Sequence, residues 1–343
     1  MTDIRKLSED NEEKILSKYA KLSKNSFGRN KHEEKCPIRT DFQRDRDRII
    51  HSKSFRRMKH KTQVFISPYD DHFRTRLTHS LEVFQISTTI ARALRLNEDL
   101  TSAIALGHDL GHAPFGHAGE SALDKAIKKH NQKLDFHHAK QSLRVVDLLE
   151  KDGIGLNLTK EVRDGIVGHS KGIKNLHDDN TDLSTLEAQV VRISDRIAYI
   201  NHDIDDAIRA DLITSSDIIK IGDKFGEKTS DRISAMVSDL IDSSIDKSKI
   251  FMSKHMTREL DTLKDFMFEK VYYNKEKLNI EAEYAEKLQN LFNYYLKNFH
   301  MIKIPEKYTF DTNSNNEKYI LINDYIGSMT DNYAQARLCE VES

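Results

Sequence analysis

Tryptophan is absent, proline occurs only at Pro37, Pro68, Pro114 and Pro305, and the 343 residues include just 13 glycines. So few turn-formers over this length argue against a sheet rich in tight turns and predict a mostly helical chain. Two cysteines, Cys36 and Cys339, give no disulfide framework and suit a reducing cytoplasm. An excess of either charge is missing too. The 54 Lys and Arg face 55 Asp and Glu, so no global field steers the chain to nucleic acid or an anionic membrane. The opening Met1-Thr2-Asp3-Ile4-Arg5 has no apolar signal core, and no run approaches a membrane span. A cytoplasmic protein with no membrane partner is the expectation. What is present is 38% hydrophobic and 32% charged residues, enough for a sizeable core beneath a charged surface.

No internal repeat and no proline- or glycine-rich linker divides the chain. One domain over 1–343 is expected, with a core at about 41–215 and a helical elaboration at about 216–343. Residues 9–24 read as a charged helix and 25–38 as a loop. Residues 41–60 are helical by the spacing of Phe42, Ile49, Ile50, Phe55 and Met58, before a loop with Pro68 and Asp70-Asp71. Leu77, Leu81, Phe84, Ile90, Ala91 and Leu94 mark a buried helical face. Further helices are expected at 98–110, 119–131, 138–151, 159–168 and 184–210, with two or three more in 230–300. The stretches Lys307–Phe310 and Tyr319–Ile322 predict a small β-hairpin around Asn313–Asn316, before a final helix near Asp324.

The run Leu106 to Glu120 packs His108, Asp109, His112, His117 and Glu120 into an apolar, glycine-broken stretch. Imidazoles and carboxylates on such a background suit a metal or acid/base site. His79 in one helix, His108-Asp109 at the end of a second, and Asp195 inside 184–210 give two imidazoles and two carboxylates. That mixed set suits Mn, Fe, Ni, Zn or, less well, Mg. Asp195 falls near the edge of the apolar face made by Val191, Ile193 and Ile197, where an aspartate is costly unless paired or metal-bound. His117 and Glu120, three apart on a helical turn, face the same way, so Glu120 can orient the imidazole. An ordinary carboxylate near a helix N-terminus is the plainer account of Glu120.

His79, His108-Asp109 and Asp195 resemble the H…HD…D signature of HD-domain phosphohydrolases. The flanking blocks narrow the resemblance. Asp45-Arg46-Asp47-Arg48-Ile49-Ile50, Phe55-Arg56-Arg57-Met58 and Lys61-Thr62-Gln63-Val64-Phe65 are similar to deoxynucleoside triphosphate triphosphohydrolases, the dGTPase family. So are Arg74 to Val83, the His108–Glu120 run, Phe136-His137-His138 with Gln141-Ser142-Leu143-Arg144, and Asp324-Tyr325-Ile326 with Met329-Thr330-Asp331. The blocks run from about residue 40 to 334. Ala139-Lys140 replaces the family's common Asn-Glu, and Asn332 stands where many members carry arginine.

The resemblance implies an all-α HD-domain bundle with a C-terminal helical extension. It implies hydrolysis of a dNTP between the 5′ oxygen and the α-phosphorus, giving deoxynucleoside and tripolyphosphate. One divalent ion, Mn favoured, would sit on His79, His108, Asp109 and Asp195. His117, oriented by Glu120, would shape the acid/base chemistry with His138 assisting as another active-site histidine, and His112, one turn after His108, would contact phosphate. Arg76 and Arg196 match phosphate-contacting positions, and Gln63 a residue reading the 3′ hydroxyl. Tyr199 and Asp203, at i+4 and i+8 from Asp195, share its helix face and match sugar contacts. For Lys59 and Lys61 a solvated basic face explains the charge as well as substrate contact does. Arg46, Arg48, Arg56 and Arg57 suit subunit packing or ion pairs with Asp45 and Asp47.

Other HD phosphohydrolases, namely nucleotidases and (p)ppGpp or cyclic-dinucleotide hydrolases, would use the same metal quartet. None would need Gln63, Arg76, Tyr199 and Asp203 together. A regulatory or nucleic-acid-binding member is the alternative from another class, and the basic segment 44–61 leaves room for single-stranded nucleic acid. Relatives form dimer-based homo-oligomers, often hexamers, and are often activated by a second dNTP. The preferred base is not legible in these residues.

Overall fold

Helices form where apolar residues recur every three or four positions, and they start on side chains that satisfy orphan backbone donors. The computed structural model describes residues 3–64, 73–170, 183–221, 228–311 and 313–342. Asp3 caps Ile4–Ile15, Asn97 caps Glu98–Gly107, and Thr185 caps Leu186–Arg209, each accepting a backbone N–H from the first turn. No strand forms among the described residues, which hold only the isolated bridges Arg29↔Thr159 and Thr62↔Thr75. No helix among them is long and apolar enough to cross a membrane.

The chain divides into two compact units, each built from three segments. The first comprises Met1–Ile49, His79–His108 and Leu158–Asn274. Its axis is Leu186–Arg209, which buries Val190, Ile193, Ile197, Ile200 and Ile204. Around it pack Glu98–Gly107, Lys160–Gly168, Thr229–Ser244 and Lys254–Met267. Glu98–Gly107 is buried continuously from Leu100 to Gly107, with the Thr101 and Ser102 hydroxyls satisfied by backbone carbonyls one turn back, as an interior helix requires. The second unit comprises Ile50–Thr78, Asp109–Asn157 and Lys275–Ser343. Gly116–His130 lies on Lys275–Lys297, with Asn315–Gly327 against both. Phe115, Leu123, Phe136, Leu288, Phe292, Ile322 and Ile326 form its core.

Several boundaries depart from the sequence reading. The first helix is Ile4–Ile15 rather than 9–24: Asp3 starts it early, and Leu16 turns extended while the Ser17 N–H reaches the Arg95 carbonyl. Residues 41–60 are Asp41–Ile50, Lys53–Arg57 and a short turn Met58–His60, because Ser52 caps a new helix on the Phe55 N–H. The helix expected at 138–151 is regular only over His138–Arg144 and continues as the wider π turn Val145–Leu149. The expected hairpin is absent. Tyr319–Ile322 lies inside Asn315–Gly327, which starts on the Ser314 cap, and a further helix spans Asp331–Glu342. A short β-prone apolar run was outweighed by a cap and a helical face buried on Phe292 and Leu288. The expected loop at Pro68 and Asp70-Asp71, and Phe65 of one family block, lie outside the described residues.

Candidate metal centre and active site

In the first unit three side chains converge from three helices. His79 is carried by Arg76–Ala93, His108 caps Glu98–Gly107, and Asp195 lies midway along Leu186–Arg209. His79 Nε2 is 3.1 Å from Asp195 Oδ1 and 3.4 Å from His108 Nε2, and His108 Nε2 is 3.9 Å from Asp195 Oδ1. Donors bonded to one ion at about 2.0–2.2 Å stand about 3–4 Å apart, so this spacing fits a divalent cation. Tautomers are preset for it. His108 Nδ1 lies 2.7 Å from the Ala105 carbonyl, which only accepts, so Nδ1 carries the proton and Nε2 the lone pair. His79 Nδ1 lies 2.9 Å from His202 Nε2, and His202 Nδ1 lies 2.8 Å from Asp203 Oδ1. Desolvation favours the neutral Asp195 acid, but the His79 hydrogen bond and the charges of His108, His79 and His169 hold it well below the usual carboxylate range.

The same helix carries the other residues expected from the sequence. Arg196 and Tyr199 are half-buried and Asp203 is buried. Burial, with Asp203 and Asp195 nearby, pushes the Tyr199 hydroxyl up to about 12 despite Arg196. Asp203 Oδ2 accepts a hydrogen bond from the Tyr272 hydroxyl. Sequence reasoning missed His169, His202 and Tyr272. Of these only His202, adjacent to Asp203, stood inside a segment already singled out.

Asp109 belongs to the second unit, whose middle segment it opens. The Arg76 guanidinium donates to Asp109 Oδ2 at 2.9 Å, and to the Thr62 and Gln63 carbonyls at 3.1 and 3.2 Å. This buried fork holds the carboxylate in place. His112 Nε2 lies 3.2 Å from Asp109 Oδ1, and its ring stacks on His138 with centroids 4.1 Å apart. His138 Nδ1 meets both Glu120 oxygens, at 2.9 and 3.1 Å, and its backbone N–H donates to Oε1 at 2.8 Å. His117 Nδ1 lies 3.5 Å from Glu120, with 74% of the side chain exposed.

These contacts drive the two stacked rings apart. Burial and the Arg76 charge push His112 well below an ordinary histidine. Burial lowers His138 too, but the Glu120 hydrogen bond and charge outweigh it and raise it. Glu120, which burial alone would raise, is held far below its usual range by His117 and His138. Two stacked imidazoles thus differ in proton affinity, His112 lowered and His138 raised. Gln63 Oε1 and His112 Nδ1 are among the buried polar atoms that have no hydrogen-bond partner among the described residues. Each is a place where a ligand would satisfy what the protein leaves open.

Close approaches explain the glycines. A Cβ on Gly111 would stand 2.1 Å from the Ser142 nitrogen. Phe115 and Gly116 are both left-handed, at φ 60 and 59, and one on Gly116 would meet the Gln63 carbonyl at 3.2 Å. Asp331 fixes this turn, accepting from the Phe115 N–H at 3.0 Å and from the Thr62 N–H at 2.8 Å. Lys61 is not on a solvated face. It is buried and donates to the His112 and Gly327 carbonyls, and burial beside Arg57 lowers it to about 7. Lys59 is exposed. Ala139 is buried while Lys140 pairs outside with Asp135, and Asn332 is exposed on Asp331–Glu342.

Comparison with known proteins places the chain in a family. A family profile described as HD domain matches residues 76–200, and one described as Phosphohydrolase-associated domain matches 250–339. The chain is 52% identical over 343 residues to a deoxyguanosinetriphosphate triphosphohydrolase-like protein of Caldanaerobacter subterraneus subsp. tengcongensis, covering 98% of this chain and 95% of that one. Proteins of the same description from Desulfatibacillum aliphaticivorans and Clostridium perfringens are each 46% identical, over 97% and 96% of this chain and 96% and 95% of theirs.

Proposed function

Because this chain belongs to the deoxyguanosinetriphosphate triphosphohydrolase-like family of HD-domain phosphohydrolases, we propose that it hydrolyses deoxynucleoside triphosphates to deoxynucleoside and tripolyphosphate. The observation that carries this reading is the convergence of His79 and His108 Nε2 on Asp195 Oδ1 within 3.1 to 3.9 Å. These three, with Asp109 directly after His108, are the ligands we assign to one divalent ion, with manganese the cation of choice. Bound there, the ion supplies Lewis acidity toward water and an α-phosphate oxygen.

The chain's own residues divide the remaining work. Arg76 fixes Asp109, and Arg196 offers a cation for the triphosphate. His138, kept protonated by Glu120, donates to the leaving 5′ oxygen, and its neutral neighbour His112 accepts hydrogen bonds from water or substrate. His117, exposed beside Glu120, shares that carboxylate and tunes its hold on His138. Gln63, with its buried unpaired Oε1, suits a sugar hydroxyl, as does Asp203 beside Tyr272, and Tyr199 lies one turn beyond Asp195 for the sugar edge. We take dimer-based oligomers, activation by a second dNTP and weak single-stranded nucleic-acid binding as further properties of this reading, in a cytoplasmic protein.

One assay tests the reaction. Pure protein is incubated with each dNTP and manganese, with and without a second dNTP, and the phosphate product is separated by ion exchange. Tripolyphosphate supports the proposal. Pyrophosphate or monophosphate as the sole product assigns the site to another phosphohydrolase reaction.

A further inference from the structure

His169 follows the helix Lys160–Gly168 and is buried. Its plainest role is to cap its own helix, since an imidazole at a C-terminus suits the dipole. Two observations go further. His169, His108 and Asp195 each offer a ligand atom, and these atoms lie within 4.8 Å of one another, inside one compact unit. The His169 ring also meets the His108 ring edge-on, with centroids 4.9 Å apart.

The second observation is a parallel between these two histidines. Each follows a glycine at the end of a short helix, as Gly107-His108 and Gly168-His169. Each places Nδ1 2.7 Å from the carbonyl three residues back, Ala105 for one and Ile166 for the other. A carbonyl only accepts, so Nδ1 holds the proton in both and Nε2 is the lone-pair nitrogen. That second-shell bond is the device by which metal-binding histidines are oriented, and the chain uses it twice around one carboxylate.

We propose that His169 Nε2 is a further ligand of the divalent ion beside His79, His108, Asp109 and Asp195, so that the set holds three imidazole nitrogens. The inference rests on the metal reading above but not on the substrate. Three imidazoles make the centre softer than two, favouring manganese, iron, cobalt, nickel or zinc over magnesium.

The test counts nitrogens. Manganese-loaded protein is measured by pulsed electron paramagnetic resonance in wild type, His169→Asn and His169→Gln. Asn keeps an amide N–H for the Ile166 carbonyl while deleting Nε2, so the fold survives, as circular dichroism checks. Gln is the second variant should Asn disturb the helix end. The wild type should show three coordinated imidazoles and the variants two; the nitrogen count decides, because loss of an outer contact alone also weakens metal binding by about 10–100-fold. Variants with the wild-type count overturn this inference and leave the metal reading standing. A wild type with no coordinated nitrogen overturns both.

Discussion

Glu120 grips His138 through both carboxylate oxygens, at 2.9 and 3.1 Å from Nδ1, and through the His138 backbone N–H at 2.8 Å. Burial would strip the proton from this ring, and Glu120 restores it. A protonated donor is lost as pH rises through its raised pKa, so kcat falls on the alkaline side. Glu120→Gln removes the charge and should move that alkaline limb to lower pH. His138→Ala should lower kcat by about 10²–10⁴-fold while metal content is unchanged. A profile that does not move in Glu120→Gln removes His138 as the donor and returns the role to His117.

His202 lies between His79, the proposed metal ligand, and the carboxylate of Asp203. Deleting it leaves His79 without the group that fixes its tautomer. We expect His202→Ala to weaken metal binding by about 10–100-fold, measured by equilibrium dialysis against manganese. Unchanged affinity would show that packing alone orients His79.

Asp109 pairs with Arg76 and is a proposed ligand of the ion. Asp109→Ala should lose both metal and activity. It also strands a buried guanidinium, which costs about 3–5 kcal/mol, so the variant needs a control. Asp109→Asn keeps an acceptor for Arg76 and should stay folded with its metal lost. Stoichiometric metal in that variant takes Asp109 out of the ligand set.

Much of this was legible in the sequence, for identifiable reasons. The spacing of Val190, Ile193, Ile197, Ile200 and Ile204 is a long-range pattern that one cap at Thr185 completes, and Asp195 falls on it. The His108–Glu120 run is dense enough to announce itself. The hairpin at Tyr319–Ile322 failed because four apolar residues carry no information about a Ser314 cap or about burial on Phe292. Lys61 looked solvated because its partners are backbone carbonyls, of His112 and Gly327, which leave no mark in a sequence. His169 lay outside every block, yet Gly168-His169 repeats Gly107-His108 at a helix end.

Gly111 has no room for a side chain. Its Cβ would meet the Ser142 and Gln141 backbone at 2.1 and 2.4 Å, so the loop before Pro114 and the start of His138–Arg144 would have to part. Gly111→Ala should destabilise the protein by about 1–3 kcal/mol or more, read from the urea midpoint, and should lower kcat by displacing His112 and His138 together. A variant as stable and active as wild type would mean that the loop yields freely.

Discrimination between deoxyribose and ribose rests on Tyr199 in the reading given above. The ring is half-buried one turn past Asp195, and its hydroxyl is kept neutral, pushed up to about 12. A ring against C2′ leaves an added 2′ hydroxyl without space or partner, and burying one unpaired costs about 1–3 kcal/mol. That corresponds to about 5- to 150-fold in kcat/KM, and a clash adds to it. Wild type should therefore prefer dGTP to GTP by at least this factor, and Tyr199→Ala should narrow the gap chiefly by raising the rate on GTP. Equal wild-type rates on the two nucleotides would remove the deoxynucleotide reading. A preference that survives intact in Tyr199→Ala would move the discrimination to Gln63, Asp203 and Tyr272, where Gln63→Ala is the next variant to measure.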